Sequence, residues 1–81
     1  MEEVGRVSHY FNKIGVAAIV LNNSLNLGDK VRIRGNKTDL VQNIDSMEID
    51  RKKVEQAMPG DTVGIKTVDK VRRKDKVYRL D

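Results

Sequence analysis

One phrase occurs twice in this chain. LGDKVRIRG covers residues 27–35 and PGDTVGIKT covers residues 59–67, and each reads Gly-Asp, one residue, Val, one residue, Ile. Glycine tolerates positive φ, and an aspartate carboxylate readily accepts hydrogen bonds from nearby backbone amides, so Gly-Asp is a turn signal. Alternation follows each turn. Val31 and Ile33 face one way and Lys30, Arg32 and Arg34 the other; Val63 and Ile65 repeat the pattern against Thr62, Gly64 and Lys66. A period of two marks a strand with one face in a core. Gly28, Asp29, Pro59, Gly60 and Asp61 are therefore expected as structural turns that launch two strands.

The same grammar runs through the rest of the chain. VGRVSHYF (4–11) is rich in strand formers. IGVAAIVL (14–21) is apolar on both faces, with Val16, Ala18 and Val20 on one and Ala17, Ile19 and Leu21 on the other. Such a strand is covered on both sides or leaves an apolar patch, and Ala17, Ile19 and Leu21 are the candidates for an outward docking face. DLVQNIDSMEI (39–49) reads as one long strand with a bulge. Residues 50–58 read as one helical turn or a loop, from Val54 and Ala57 at helical spacing, and residues 68–80 as a hairpin or one bent strand. About six short strands with regular turn signals predict a small barrel or sandwich, and closure into a barrel removes exposed edges.

Eighty-one residues make one domain, 1–81, with a small core. There is no cysteine, hence no disulfide, thiol nucleophile or thiolate metal site. The start MEEVGRVSHY lacks the basic and apolar regions of a signal peptide, and no apolar run reaches bilayer-spanning length, so a cytoplasmic protein without a membrane partner is expected. The net charge of +4 is unevenly spread. Residues 1–50 carry six Lys/Arg against seven Asp/Glu, and residues 51–81 carry ten against five. A basic C-terminal third points to an acidic partner, with nucleic acid foremost.

Read in order, Gly5-Arg6-Val7, the apolar run after Gly15, Leu27-Gly28-Asp29-x-Val31-x-Ile33-x-Gly35, Ile44-Asp45-Ser46-Met47 and Ala57-Met58-Pro59-Gly60-Asp61-x-Val63-Gly64-Ile65 form an ordered set. The set resembles the second domain of translational GTPases such as elongation factor Tu and initiation factor two. That resemblance implies a closed six-stranded antiparallel β-barrel of the elongation-factor domain 2 type. In the family this barrel sits beside a GTPase domain and helps hold the acceptor end of tRNA, or contacts the ribosome. No G-x-x-x-x-G-K-[ST] loop is present, so neither GTP chemistry nor a nucleotide cofactor is expected. The opening VGRVSHYF is also similar to the start of the small barrel protein of archaeal box H/ACA ribonucleoproteins, and similar barrels end some collagenase-type peptidases.

The candidate RNA surface is the basic run Lys66, Lys70, Arg72, Arg73, Lys74, Lys76 and Arg79, with Arg32 and Arg34 assisting beside Lys37. Clustered Lys/Arg bind phosphates by releasing counterions, and Arg adds bidentate geometry. Arg51-Lys52-Lys53 is a further basic cluster. The aromatics are three, with Phe11 expected in the core and Tyr10 and Tyr78 at its rim; so few rings favour backbone over base recognition. His9 stands alone, which argues against zinc, and Asp45, Glu48 and Asp50 read as a solvated acidic patch. With no nucleophile–base pair in view, the expected function is a non-enzymatic, translation-factor-like module without cofactors, binding RNA or a ribonucleoprotein such as tRNA or the ribosome. The alternative is a protein-docking barrel in a larger assembly (a GTPase, an RNA-modification complex or a peptidase), using an apolar face.

Overall fold

The computed structural model describes residues 1–80, which form ten strands and no helix. Five lie in the first half: β1 (Glu2–Phe11), β2 (Val16–Leu21), β3 (Leu25–Asn26), β4 (Lys30–Arg34) and β5 (Asp39–Asn43). Then follow β6 (Met47–Ile49), β7 (Lys52–Val54), β8 (Gln56–Ala57), β9 (Thr62–Lys66) and β10 (Lys76–Leu80). Among the described residues no helix is long and apolar enough to cross a membrane.

Both Gly-Asp copies fold as one turn. The Asn26 N–H donates to Asp29 Oδ2 at 2.8 Å and the Asp29 N–H returns to the Asn26 carbonyl at 3.0 Å. In the second copy Met58 N–H meets Asp61 Oδ2 at 2.9 Å, and the Asp61 N–H reaches the Met58 carbonyl at 3.0 Å. Gly28 and Gly60 occupy the third turn position at φ of +89° and +94°, where a side chain is costly. The structure adds a third copy that the sequence hides. Arg72 N–H donates to Asp75 Oδ2 at 2.8 Å and Asp75 N–H to the Arg72 carbonyl at 3.1 Å, and the residue at positive φ is Lys74, at +78°. Each turn launches a strand whose second residue is buried: Val31, Val63 and Val77.

Eight strands form one antiparallel sheet in the order β5-β4-β10-β1-β2-β9-β6-β7, and β3 and β8 form a separate pair. The sheet curls into a half-barrel and is not the closed six-stranded barrel expected from the sequence. The reason lies at residues 44–46. The expected strand 39–49 breaks there, because Ile44 turns into the core and its N–H bonds the Asp29 carbonyl at 2.8 Å. β6 then meets β9 at a single register pair, Glu48 with Gly64, and β5 and β7 remain as unpaired edges. The β5 edge is held to the chain after β9 by one side chain. Gln42 Nε2 donates to the Lys66 carbonyl at 3.0 Å, and Gln42 Oε1 accepts from the Val68 N–H at 2.9 Å.

The core is aliphatic. Val4, Val7, Ile19, Leu21, Leu25, Ile33, Ile44, Met47 and Ile65 are among its buried residues. Phe11, expected inside, is 46% exposed. Residues 50–58 form two strands and a tight turn where a helical turn or loop was expected, and 68–75 form a loop. That tight turn joins β6 to β7 through Asp50 and Arg51, both at positive φ. Asn-Gly suits such a two-residue turn far better. Asp50→Asn combined with Arg51→Gly should therefore stabilise the fold by about 1 kcal/mol, read as a higher midpoint in urea at unchanged slope.

Candidate functional site

The basic residues singled out by sequence divide into two groups. Arg32 and Arg79 are occupied by the protein's own carboxylates. Arg32 makes a bidentate pair with Asp39 across β4 and β5, with Nε–Oδ1 at 2.8 Å and Nη2–Oδ2 at 2.7 Å. That bond holds the Asp39 carboxyl below its ordinary range and raises the Arg32 guanidinium above its own. Arg79 donates to Glu2 and to the Ser24 carbonyl, and lies 3.7 Å from Asp29. It thus ties β10 to the start of β1 and to the first Gly-Asp turn, and its hydrogen bond lowers the Glu2 carboxyl. These two arginines are structural in their contacts.

The others gather at one end of the sheet. Because neighbouring strands run antiparallel, the turn 12–15, the turn 35–38 and the loop 67–75 emerge together. Val7 N–H bonds the Asp75 carbonyl at 2.8 Å and Lys74 N–H the Val7 carbonyl at 2.8 Å, which clamps the loop to β1. Lys76 pairs in register with Arg34. Between the 35–38 turn and the 72–76 segment opens a cleft of about 520 Å³. Arg34, Lys37, Arg72, Arg73, Lys74 and Lys76 border it, and its one carboxylate, Asp75, is buried. Arg72 is oriented by the Lys37 carbonyl (3.2 Å) and Thr38 Oγ1 (3.3 Å). Gly35 makes room for Asp75: a Cβ there would stand 1.8 Å from Asp75 Oδ1. Lys66 and Lys70 lie outside the cleft lining, at the end of β9 and in the following loop.

Around β1 from this cleft, the outer face of β2 is apolar. The sequence left its two faces undecided between core and surface. Ala17, Ile19 and Leu21, the candidates for the outward face, are buried at 0%, 0% and 2%, and Val16, Ala18 and Val20 face out instead. Ala18 sits opposite Gly64 on β9, so the centre of the face is low. Phe11, Ile14 and Val16 wall the resulting dent of about 460 Å³, with Glu48, Asp50 and Arg51 at its rim. Phe11 is propped edge-on against His9, with ring centroids 4.4 Å apart. Exposed Phe11, Ile14 (62%) and Val20 make this an apolar surface that water does not favour. Gly64 is not required by the fold. Its φ is ordinary, and a Cβ would make only van der Waals contact, 3.5 Å from Val16 Cγ1. Among the described residues no three His, Cys, Asp or Glu side chains come together as a metal site.

This half-barrel is the fold of a C-terminal domain in a peptidase-like protein. The crystal structure of the C-terminal domain of a candidate U32 peptidase from Geobacillus thermoleovorans matches it with a TM-score of 0.92. The match covers 99% of this chain and 93% of that one at 20% identity, so the likeness is one of fold. In sequence the chain is 42% identical over 79 residues to an uncharacterized protease of Methanocaldococcus jannaschii. It is 34% identical over 80 residues to a collagenase of Porphyromonas gingivalis. Each match takes in 96% of this chain, and the chain spans about a fifth of the length of these relatives. No family model matches the chain.

These relatives correct the translational reading. The chain is not a translation elongation factor-like protein by kinship, and RNA, tRNA and the ribosome are withdrawn as its partners. The resemblance rested on Gly-Asp turns followed by alternating strands. The structure shows that motif three times in one small half-barrel, so it reports turn chemistry and not a shared partner.

Proposed function

We propose that this domain is a non-catalytic docking module that packs against a peptidase catalytic body of the kind its relatives contain. The observation that carries the reading is the apolar dent around Ala18 and Gly64, an outward surface with no function inside the domain. Glycine inside a strand weakens it, by roughly 0.5–1 kcal/mol relative to alanine. The backbone geometry would accept a side chain at position 64, so the cost is borne to keep the dent open. A convex apolar residue from the partner would fill it, and the charged rim of Glu48, Asp50 and Arg51 would set orientation. The sequence kinship to a protease and a collagenase supports that partner class.

The test uses the Methanocaldococcus protease lacking its 79 matching residues as the binding partner, with association followed by sedimentation velocity. The domain is expected to form a one-to-one complex with it and none with the intact protease, whose own domain holds the position. Gly64→Leu should keep the fold and weaken the complex at least tenfold, about 1.4 kcal/mol. Absence of a complex, or a Gly64→Leu variant that binds as well as the parent, overturns the docking reading.

A further inference from the structure

The third turn raises a specific question: why a lysine stands where the other two copies carry glycine. The three turns share their hydrogen bonds, and at the equivalent position φ is +89°, +94° and +78°. An L side chain in this region is strained, so Lys74 is an unfavourable choice for its own backbone. That same residue borders the basic cleft. Strain retained at a ligand-facing position is a mark of function when the side chain has somewhere to act.

The cleft gives it such a place. Five of its cations, Arg34, Lys37, Arg73, Lys74 and Lys76, have no carboxylate hydrogen-bonded to them among the described residues, and the nearest ion pair is Lys76 with Glu3 at 3.9 Å. Arg72 is pinned at one nitrogen by Lys37 and Thr38, which leaves the rest of its fork for a ligand. Asp75 offsets one of the cleft's six positive charges and its carboxylate is engaged by the Arg72 N–H, and Asp39, opposite Arg34, is engaged by Arg32, so the cleft keeps a net positive charge. We propose that this cleft binds a carboxylate-rich polypeptide segment, with Lys74 and Arg73 as its principal contacts and Arg72 as the oriented fork. No aromatic ring lines the cleft, so it lacks the stacking platform a single-stranded nucleic acid would use. The inference rests on the peptidase-docking reading for its choice of polypeptide; the site itself is separate, since cleft and dent share no lining residue.

The experiment measures anisotropy of three fluorescein-labelled probes over a salt series: a Glu/Asp octapeptide, its Gln/Asn counterpart and a single-stranded RNA octamer. The acidic peptide is expected to bind with a clear salt slope and the amide peptide not to bind. Lys74→Gly should weaken acidic-peptide binding several-fold while raising the thermal midpoint by roughly 3–6 °C, because strain is relieved as a contact is lost. Arg73→Ala with Lys74→Ala should weaken it about tenfold. Lys52→Ala with Lys53→Ala, which lowers net charge equally at the β7 strand, should change it less than twofold. Equal loss in that control, equal binding of the amide peptide, or no effect of the Lys74 variants overturns the site. RNA binding as tight as the acidic peptide, with the same variant sensitivity, overturns the polypeptide assignment. Gly64→Leu separates the two proposals: it should leave peptide binding intact, so failure of the docking reading and failure of the cleft give different results.

Discussion

Gly5→Ala is expected to destabilise the protein by roughly 3 kcal/mol or more and to lower its thermal midpoint by roughly 12 °C or more. A Cβ at this position would lie 2.5 Å from the Val20 carbonyl oxygen, 3.0 Å from Ile19 Cγ2 and 3.2 Å from the Leu21 Cα. Two of these three are backbone of the adjacent strand, so no side-chain rotation relieves the overlap. β1 and β2 would have to separate where both enter the core, and Val4, Val7, Ile19 and Leu21 would lose packing with them. Gly64→Ala is the internal control. The same added methyl on a neighbouring ladder meets nothing closer than 3.5 Å and should raise stability by roughly 0.5–1 kcal/mol. Urea unfolding of both variants, followed by circular dichroism, decides the matter. A Gly5→Ala protein as stable as the parent would show that the β1–β2 approach is looser than described.

Leu25→Ala should cost about 3 kcal/mol, the usual loss for a fully buried leucine. Leu25 is completely buried, yet it belongs to a strand of two residues whose only ladder partner is β8. So short a pair has little hydrogen bonding of its own, and the side chain is its principal tie to the core. The variant should lose stability and also loosen the segment around it. Amides at Leu27 and Gly28, which bond the carbonyls of Glu55 and Ile44, should lose hydrogen-exchange protection before the β1–β2 ladder does. Uniform loss of protection across all strands would mean that the β3–β8 pair is inseparable from the sheet.

How much of this was legible in the sequence depended on whether a residue type carried its own geometry. Gly28 and Gly60 announced their turns because glycine at positive φ has few other uses, and the strands after them followed with the correct inward residues. Lys74 announced nothing, since lysine is an ordinary surface residue, and the third turn was lost inside a stretch read only as charge. Gln56 and Ala57, and Lys52 to Val54, fell into short strands because tertiary pairing with β3 and β6 outweighed local spacing. The two faces of β2 carried equal apolar character, so no pattern could say which was inside; only the neighbouring β1 and β9 decide that. At the candidate site, charge density was visible and its employment was not. Arg32 and Arg79 look like Arg34 and Arg73 in sequence, yet Glu2 stands opposite Arg79 in register, and Asp39, opposite Arg34, gives its carboxylate diagonally to Arg32. The dent at Gly64 had no signature at all, being a surface made by what is missing.

The Gln42 clasp gives this domain an unusual mechanical profile. From β5 through β4, β10, β1 and β2 to β9, adjoining strands are laced by repeated main-chain pairs, whereas here two bonds from one amide span the gap between β5 and the chain at Lys66 and Val68. A seam fastened at one point yields before those continuous ladders do. Its rim can therefore spread or narrow while the β1–β2–β9 wall that carries the dent keeps its shape. Compliance and grip are thus assigned to opposite sides of the same small shell.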